Sequence, residues 1–423
     1  MRRGAHAALR LASPPRCLNR WGAGCRAGQG DQRRWIGVVA MPVRSAAADQ
    51  SLLPIYLCCL AFGLQAGTGM PLIPLGLEQQ GVDRFTIGIV SSAWGLGMLA
   101  TASRVPALAE QLGAVPLICA GTLANSAICV ALAHTEGVTL WFVLAFLSGS
   151  LGAVPWVVSE TWINLVVEES RRGRVVALYA TMVALGLAGG PLVLQLVGVY
   201  GPRPFLLAAA LGIPVVLPLL LFVRRAPSIQ PSEHGSVAGY LLLAPVILLA
   251  GMTSGLGEQA AMAFLPIFAL DSGVSAQTGA TWLSAFVIGN LALQWPIGWM
   301  ADHVDRRLLL AGCAAASALL AGLVAAIDPR DAIVFLVLML WGGASFGIYT
   351  VGLALLGQKF SRGDMVRANA AFAMVYTLGG LIGRPTAGAA MDAFSRVGLP
   401  LTVAVFYLLA ALAALLAFQR RER

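Results

Sequence analysis

Three ionisable side chains lie deep within long apolar runs of the 423-residue sequence: Glu160, Glu258 and Arg384. A charge inside the hydrocarbon of a membrane is costly, so residues of this kind usually serve binding or proton transfer. A carboxyl group in a low-dielectric site can load and release a proton, and an arginine can hold an anionic group. We therefore expect these three residues to handle protons or substrate.

Glu258 is the strongest candidate for coupling, because it stands in a glycine-rich break halfway along its run, residues 251–259 (GMTSGLGEQ). Breaks of this kind free backbone groups beside a cavity, which is where transporters place binding sites. The alternative is a structural carboxyl group that is paired with Arg384 or hydrogen-bonded to a neighbouring helix.

Glu160 lies only a few residues from the end of its apolar run. One interpretation is a salt-bridge network that gates the cytoplasmic end of the helix, and the other is direct handling of a proton or substrate. The basic residues within reach for such a network are Arg171, Arg172, Arg174 and Arg306.

Arg384 stands within residues 380–385 (GLIGRP), where the matching stretch of the first half of the chain has Gly190. An arginine in place of a glycine needs a partner or a water-filled cavity. Glu258 or an anionic substrate group would serve as that partner, and snorkelling toward the outer interface is the alternative.

The elements that must position these residues are membrane helices. Hydrophobic residues make up 58% of the chain and charged residues 11%, whereas a soluble domain carries about 25% charged residues. Runs of about 20 apolar residues cross a bilayer. We predict an all-α integral membrane fold of 12 transmembrane helices, from apolar runs at 52–75, 87–104, 115–133, 140–163, 175–200, 204–223, 239–270, 279–300, 308–327, 332–358, 366–391 and 398–418.

The two halves of the chain repeat each other. Pro74, Gly81, Gly97 and Glu110 recur at a constant spacing as Pro266, Gly273, Gly289 and Asp302, and Gly186, Gly189 and Pro191 recur as Gly380, Gly383 and Pro385. The fold is therefore expected to be two pseudo-symmetric six-helix halves. Duplicated membrane halves place a site between the repeats, where one half rocks against the other.

The two ends of the chain and the loops give the expected organisation. Residues 1–40 hold eight arginines and one acid, Asp31, which indicates either an over-extended start before Met41 or a targeting peptide. We assign 1–50 to a disordered N-terminal extension, 51–225 to the first half, 226–238 to a cytoplasmic linker and 239–420 to the second half. The distribution of arginines predicts a bacterial inner membrane protein with both termini in the cytoplasm.

The strongest local motif follows the eighth apolar run, at residues 298–307 (GWMADHVDRR). It resembles the loop signature of the major facilitator superfamily. In the corresponding loop of the first half, Glu110 replaces the aspartate and the basic pair is missing. The resemblance extends over about residues 50–420 and is closest to a poorly characterised bacterial branch. It implies a gate that holds helices at the cytoplasmic side, with the residues Gly298, Asp302, Asp305, Arg306, Arg307, Glu110 and Arg174.

The same resemblance covers the fifth span, residues 186–191 (GLAGGP), which are similar to a motif of proton antiporters. The alternative is a purely structural role, in which small residues allow close helix packing. The residues expected in this role are Gly186, Gly190, Pro191, Gly380, Gly383 and Pro385. The resemblance also implies that the first, fourth, seventh and tenth helices line a central cavity. The expected lining residues are Gln65, Thr68, Trp156 and Tyr349.

No nucleophile–base pair, metal-ligand spacing or phosphate-binding loop is evident, so we predict neither an enzyme nor a cofactor or metal site. The net charge of +9 indicates topology and lipid contact, not nucleic-acid binding. We expect a monomeric secondary transporter of a small organic solute, with protons as partners and efflux as the direction. The alternative is a transporter-like sensor that binds a ligand without net transport.

Overall fold

The computed structural model describes residues 52–167, 169–222, 245–360 and 365–422. Within these ranges the chain is helical, without a strand. The first half contains α1 (Leu53–Gly69), α2 (Leu72–Gln79), α3 (Arg84–Ala102), α4 (Val105–Leu112), α5 (Ala114–Ala133), α6 (Val138–Val166), α7 (Glu169–Val197), α8 (Pro202–Ala210) and α9 (Ile213–Phe222). The second contains α10 (Pro245–Asp271), α11 (Ala276–His303), α12 (Arg306–Ala326), α13 (Ile333–Lys359), α14 (Met365–Phe394) and α15 (Gly398–Glu422).

These helices group into the expected six plus six spans. The first span is broken into α1 and α2 at Met70 and Pro71, because a proline lacks the backbone N–H that would continue the helix. The sixth span is broken into α8 and α9 at Gly212. Within the described ranges, nine helical stretches are long and apolar enough to cross a bilayer, and one of them runs through both α14 and α15. The predicted extension 1–50 and linker 226–238 lie outside the described residues.

The repeat in the sequence produces the same helix starts and ends in both halves. Gly81 follows α2 and Gly273 follows α10. Both have a positive φ, a conformation that glycine adopts without steric cost. Asp83 then caps α3 by accepting from the backbone N–H of Thr86 at 2.9 Å, and Ser275 caps α11 in the same way. The hydrogen bond holds the pKa of the exposed Asp83 below its usual value.

The packing of the helices is also duplicated. α1 packs along α7 and α3 along α6, and in the second half α10 packs along α14 and α11 along α13. The two halves meet where α3 lies against α14 and α7 against α11. Large apolar side chains such as Leu196, Trp295 and Leu319 remain exposed, as expected for surfaces that face lipid.

The halves meet at one side of the molecule, which we call the closed face: the side where α2, α10 and α14 end and where α3 and α11 begin. Hydrogen bonds and close contacts between α14 and α3 run along the first two-thirds of α3, from Arg84 to Gly95. On the other side, the open face, the described parts of α6 and α13 make little or no contact with each other. The helix pairs therefore converge toward the closed face.

Candidate functional site

Glu258 is buried in the middle of α10 and belongs to a hydrogen-bond network with α14. The hydroxyl group of Tyr376 donates to Glu258 Oε2 at 2.9 Å, and Ser254 donates to the other carboxyl oxygen. The Gln259 amide nitrogen donates to the Tyr376 oxygen at 3.1 Å. Arg384 completes the network by donating to the Gln259 side-chain oxygen. The network therefore joins Glu258 to Arg384 through two neutral side chains.

Close packing of α10 on α14 makes this network possible. A side chain at Gly255 would overlap the backbone of Tyr376, and one at Gly379 would overlap the backbone of Met252. Gly257 leaves room in the same way for the hydroxyl group of Tyr407 from α15. The glycine-rich break in the sequence thus serves helix approach, and α10 continues through it without interruption.

Arg384 does not pair with Glu258, because its guanidinium group bonds to Gln259 instead. It does not snorkel to an interface either, because only 7% of its surface is exposed. It borders a small cavity between the halves with Met70, Ile73, Ser91 and Trp94 of the first half and with Met262 and Ala263 of the second. The backbone of Arg384 touches α3 at Gly88. Arg384 therefore connects the Glu258 network to the contact between the two halves.

Glu160 lies on α6 and is accessible to solvent. Its carboxyl group interacts electrostatically with Tyr179 of α7 and with Tyr349 of α13, in the other half. Among the described residues it has neither a hydrogen bond nor an ion pair, so the expected salt bridges with Arg171 and Arg174 are not formed in this conformation. The side chain of Arg172 lies outside the described residues.

Trp156 lies on α6 and Tyr349 on α13, and the side chain of each is at least partly exposed. Trp156 stands one helical turn before Glu160, is 38% exposed and contacts Phe62 edge to face with ring centres 6.4 Å apart. The ring of Tyr349 contacts that of Tyr376 at 5.1 Å. The phenol of Tyr349 is therefore placed between the two carboxyl groups on α6 and α10.

The other two expected lining residues pack inside the first half. Thr68 is fully buried, and its hydroxyl group bonds to the carbonyl oxygens of Leu64 at 2.7 Å and Gly190 at 3.3 Å. The prediction for Thr68 is wrong because this side chain faces α7. Gln65 bonds to the carbonyl oxygen of Ala208 on α8 at 3.1 Å and borders a cavity within the first half, not the space between the halves.

The packing glycines bring α7 onto α1, since a side chain at Gly186 or Gly190 would overlap the α1 backbone. In the second half, Gly379 and Gly383 have the same role on α14, whereas Gly380 faces the side chain of Gln259. The true counterpart of Gly186 is therefore Gly379, one residue before the position that the sequence repeat suggests. Arg384 consequently corresponds to Pro191 and not to Gly190. The prolines Pro191 and Pro385 both lie inside their helices, α7 and α14.

The residues of the predicted gate stabilise the second half from within. Arg306 bonds to Asp302 at 3.3 Å and to the carbonyl oxygen of Ala354 on α13 at 2.8 Å. Asp305 caps α12 by accepting from the backbone N–H of Arg307 at 2.8 Å. Gly298 faces open space.

The gate residues of the first half are not joined to this loop. Glu110 and Arg174 are exposed and, among the described residues, form no hydrogen bond or ion pair. A gate between the halves is thus not assembled in this conformation and stays a prediction.

A cluster on the closed face was missed by sequence reasoning. Arg84, the first residue of α3, bonds to Asp271 at the end of α10 at 2.6 Å and to Glu78 at 3.5 Å. The Asp392 carboxylate of α14 accepts from the backbone N–H groups of Arg84 and Phe85 at 3.0 and 2.9 Å. This Arg84 cluster ties the first half to the second. Its sequence signal was the charges at the ends of the apolar runs.

Tyr376 and Gln259 of the buried network were also not predicted from the sequence. Tyr376 precedes Arg384 by two helical turns, so both lie on one face of α14. Gln259 directly follows Glu258. Helical spacing from the two charged residues could have found them. In the part of the chain that the structure describes, no group of three or more His, Cys, Asp or Glu side chains is arranged to hold a metal ion.

This geometry of two duplicated helical halves with a buried polar network is that of a membrane transporter. The chain matches the family model described as the Major Facilitator Superfamily over residues 55–246 and 247–423. It therefore belongs to the major facilitator superfamily of membrane transporters and is a multi-pass membrane protein.

Its relatives include proteins named uncharacterized MFS-type transporters. The chain is 23% identical to YfkF of Bacillus subtilis, over 80% of this chain and 88% of that protein. It is 26% identical to YcaD of Escherichia fergusonii, over 74% of this chain and 81% of that protein. The chain thus falls in the poorly characterised branch that its sequence resembles.

Solved structures show the same fold at low identity. A mutant of the nucleoside transporter NupG superposes with a TM-score of 0.76 at 15% identity, over 86% of this chain and 99% of that one. A bacterial homologue of the human lysosomal transporter Spinster, inward-facing and occupied, gives a TM-score of 0.69 at 15% identity, over 87% and 96%.

Proposed function

We propose that this protein exports a small organic solute by alternating access and that Glu258 carries the proton that drives the exchange. The observation that carries the proposal is the buried carboxyl group of Glu258, which has no cationic partner among the described residues. Ionisable residues inside membrane helices that lack such a partner are typical of proton relays.

The arrangement of the halves supports alternating access. The halves are packed at the closed face through the Arg84 cluster, whereas the described parts of α6 and α13 make little or no contact. With both termini in the cytoplasm, the open face is the cytoplasmic one and the structure is inward-facing. A solved neighbour of the same fold is named as inward-facing. Rocking of one half against the other would then expose the Glu258 network to the opposite side.

The network supplies a route from the protonation of Glu258 to the contact between the halves. An ionised Glu258 accepts from Ser254 and Tyr376, while Tyr376 accepts from Gln259. When the proton is on Oε2, Glu258 becomes a donor to Tyr376, whose hydroxyl hydrogen then turns toward another acceptor. Gln259 then loses part of its bonding and changes what it offers to Arg384, which lies against α3.

The test is proton flux in inside-out membrane vesicles from cells that overproduce the protein. A pH-sensitive acridine dye reports the pH of the vesicle lumen. A panel of organic cations, weak acids and zwitterions is added after acidification of the lumen, and dequenching of the dye reports proton release. We expect at least one compound to release protons with the wild-type protein and none to do so with Glu258→Gln, since the amide cannot exchange a proton.

The matched control is Glu136→Gln, which removes an exposed carboxyl group outside the network and should leave the flux unchanged. Undiminished proton release with Glu258→Gln would show that the proton moves elsewhere. Ligand binding by the wild-type protein without any flux would overturn the transport proposal in favour of a ligand sensor.

A further inference from the structure

Glu160 has the environment of a binding group. Its carboxyl group is exposed on α6 one helical turn after the exposed Trp156, so both side chains lie on one face of α6, and it is within electrostatic range of Tyr349 on α13 of the other half. It is accessible to solvent and has no hydrogen bond or ion pair among the described residues. A carboxylate at membrane depth is costly unless water or a counter-charge reaches it. A positively charged ligand supplies that counter-charge when it binds during the transport cycle.

Aromatic side chains of both halves accompany this carboxyl group. Trp156 lies one turn away on the same face of α6 and is 38% exposed, with Phe62 supporting it edge to face from α1. Tyr349 stands on the opposite helix and is only partly buried. Organic cations are bound in proteins by aromatic faces together with a carboxylate, because the ring quadrupole attracts positive charge. Indole is the most effective of the aromatic side chains for this purpose.

We propose that the substrate is an organic cation with an aromatic or apolar body, held by Glu160 and packed against Trp156 and Tyr349. The proposal deepens the transport function above and rests on it. An anionic substrate would be repelled by Glu160. An anion would instead need a positive charge in the membrane interior. Arg384 is buried there, but it is already bonded to Gln259.

The site is joined to the proton site by two phenols. Tyr349 contacts Tyr376 ring to ring at 5.1 Å, and the Tyr376 hydroxyl group donates to Glu258 at 2.9 Å. A cation that settles against Tyr349 therefore touches a residue packed on the Glu258 network. Cation binding at Glu160 and proton release at Glu258 can be coupled through this contact without sharing a carboxyl group.

The test is equilibrium binding of radiolabelled tetraphenylphosphonium to the full-length purified protein in detergent. Tetraphenylborate, an anion of the same shape, and neutral triphenylphosphine oxide serve as competitors. We expect tetraphenylphosphonium to bind and neither competitor to displace it at equal concentration. Glu160→Gln should weaken binding by about tenfold or more, which corresponds to about 1.4 kcal/mol, and Trp156→Leu should weaken it as well.

Conservative variants separate binding from misfolding. Glu160→Asp and Trp156→Phe keep the charge and the aromatic face and should retain most of the affinity, and Glu136→Gln, at an exposed carboxyl group outside both sites, should match the wild-type protein. Each variant is checked for a monodisperse elution profile. Equal binding by wild-type and Glu160→Gln proteins, or displacement by tetraphenylborate, would overturn the proposal.

The outcomes distinguish this inference from the proposed coupling. Binding that depends on Glu160, together with proton flux that survives Glu258→Gln, would uphold the cation site and reject the proton site. Proton flux that depends on Glu258, together with binding that does not depend on Glu160, would do the reverse.

Discussion

At the scale of single residues, the hydroxyl group of Tyr376 holds the buried network together. It donates to Glu258 and accepts from Gln259, so it is the one atom shared between the carboxyl group and the amide. A buried polar group that loses its partner costs about 1–3 kcal/mol. We therefore expect the stability of the protein and the proposed proton coupling to depend on the same oxygen atom.

Replacement of Tyr376 by phenylalanine tests this role. The ring and its contact with Tyr349 remain, while Glu258 and Gln259 each lose a hydrogen bond. We expect a lower melting temperature in detergent and a loss of substrate-driven proton release, with cation binding at Glu160 retained. Tyr200→Phe removes an exposed hydroxyl group outside the network and should change neither quantity. Normal proton release by Tyr376→Phe would remove the tyrosine from the coupling route.

At the scale of helices, glycines set how closely the paired spans approach. Gly97 on α3 faces the backbone of α6 at Phe146, and its repeat counterpart Gly289 on α11 faces the backbone of α13 at Met339. The same pair of helices is thus packed in the same way in both halves. Small residues at such crossings allow the backbones to touch, which is how membrane helices associate.

A pair of glycine substitutions measures this packing. Gly97→Ala places a methyl group against backbone that cannot move aside and should destabilise the protein by about 1–3 kcal/mol. Gly322→Ala on α12 meets open space and should be neutral or stabilising by up to about 1 kcal/mol, because alanine favours the helix. Thermal unfolding in detergent gives both values. Equal melting temperatures for the two variants would contradict the packing argument.

At the scale of the whole molecule, the Arg84 cluster holds the two halves together on the closed face. Arg84 of the first half reaches Asp271 and the Met391 carbonyl oxygen of the second half, at 2.6 and 3.2 Å. On the same face, Gln195 of α7 donates to the Gln277 carbonyl oxygen of α11 at 2.6 Å. These bonds favour the conformation seen here over one that is closed on the opposite side.

Loss of the arginine should shift that balance. In Arg84→Ala the side-chain bonds to α10 and α14 disappear, so we expect the open face to close more often. Cysteines introduced at Leu165 and Gln358, at the exposed ends of α6 and α13, would carry spin labels. Pulsed electron paramagnetic resonance should then report a shorter distance between the two labels. Cys17 and Cys25 are replaced by serine to keep labelling specific.

The matched control for this experiment is Arg203→Ala, which removes an exposed arginine that takes no part in the cluster. Its distance distribution should equal that of the labelled wild-type protein. An unchanged distribution in Arg84→Ala would mean that the cluster does not decide between conformations.

The sequence by itself determined the spans, the duplication and the charged residues that lie within the spans. These properties depend on local composition: a helix in lipid must satisfy its own backbone, so apolar length predicts it, and repeated glycines mark repeated crossings. The same reasoning found Glu160, Glu258 and Arg384, because a charge in an apolar run is conspicuous.

Only the tertiary structure decided which side chains meet. Thr68 and Trp156 are both polar or aromatic residues of spans expected to line the cavity, yet one is buried against α7 and the other is exposed beside Glu160. The rotation of a helix about its axis is set by the glycines of its neighbours, which are distant in sequence. For the same reason, the separation of Glu258 from Arg384 by Tyr376 and Gln259, and the meeting of Arg84 with Asp271, depend on the packed helices and not on any single span.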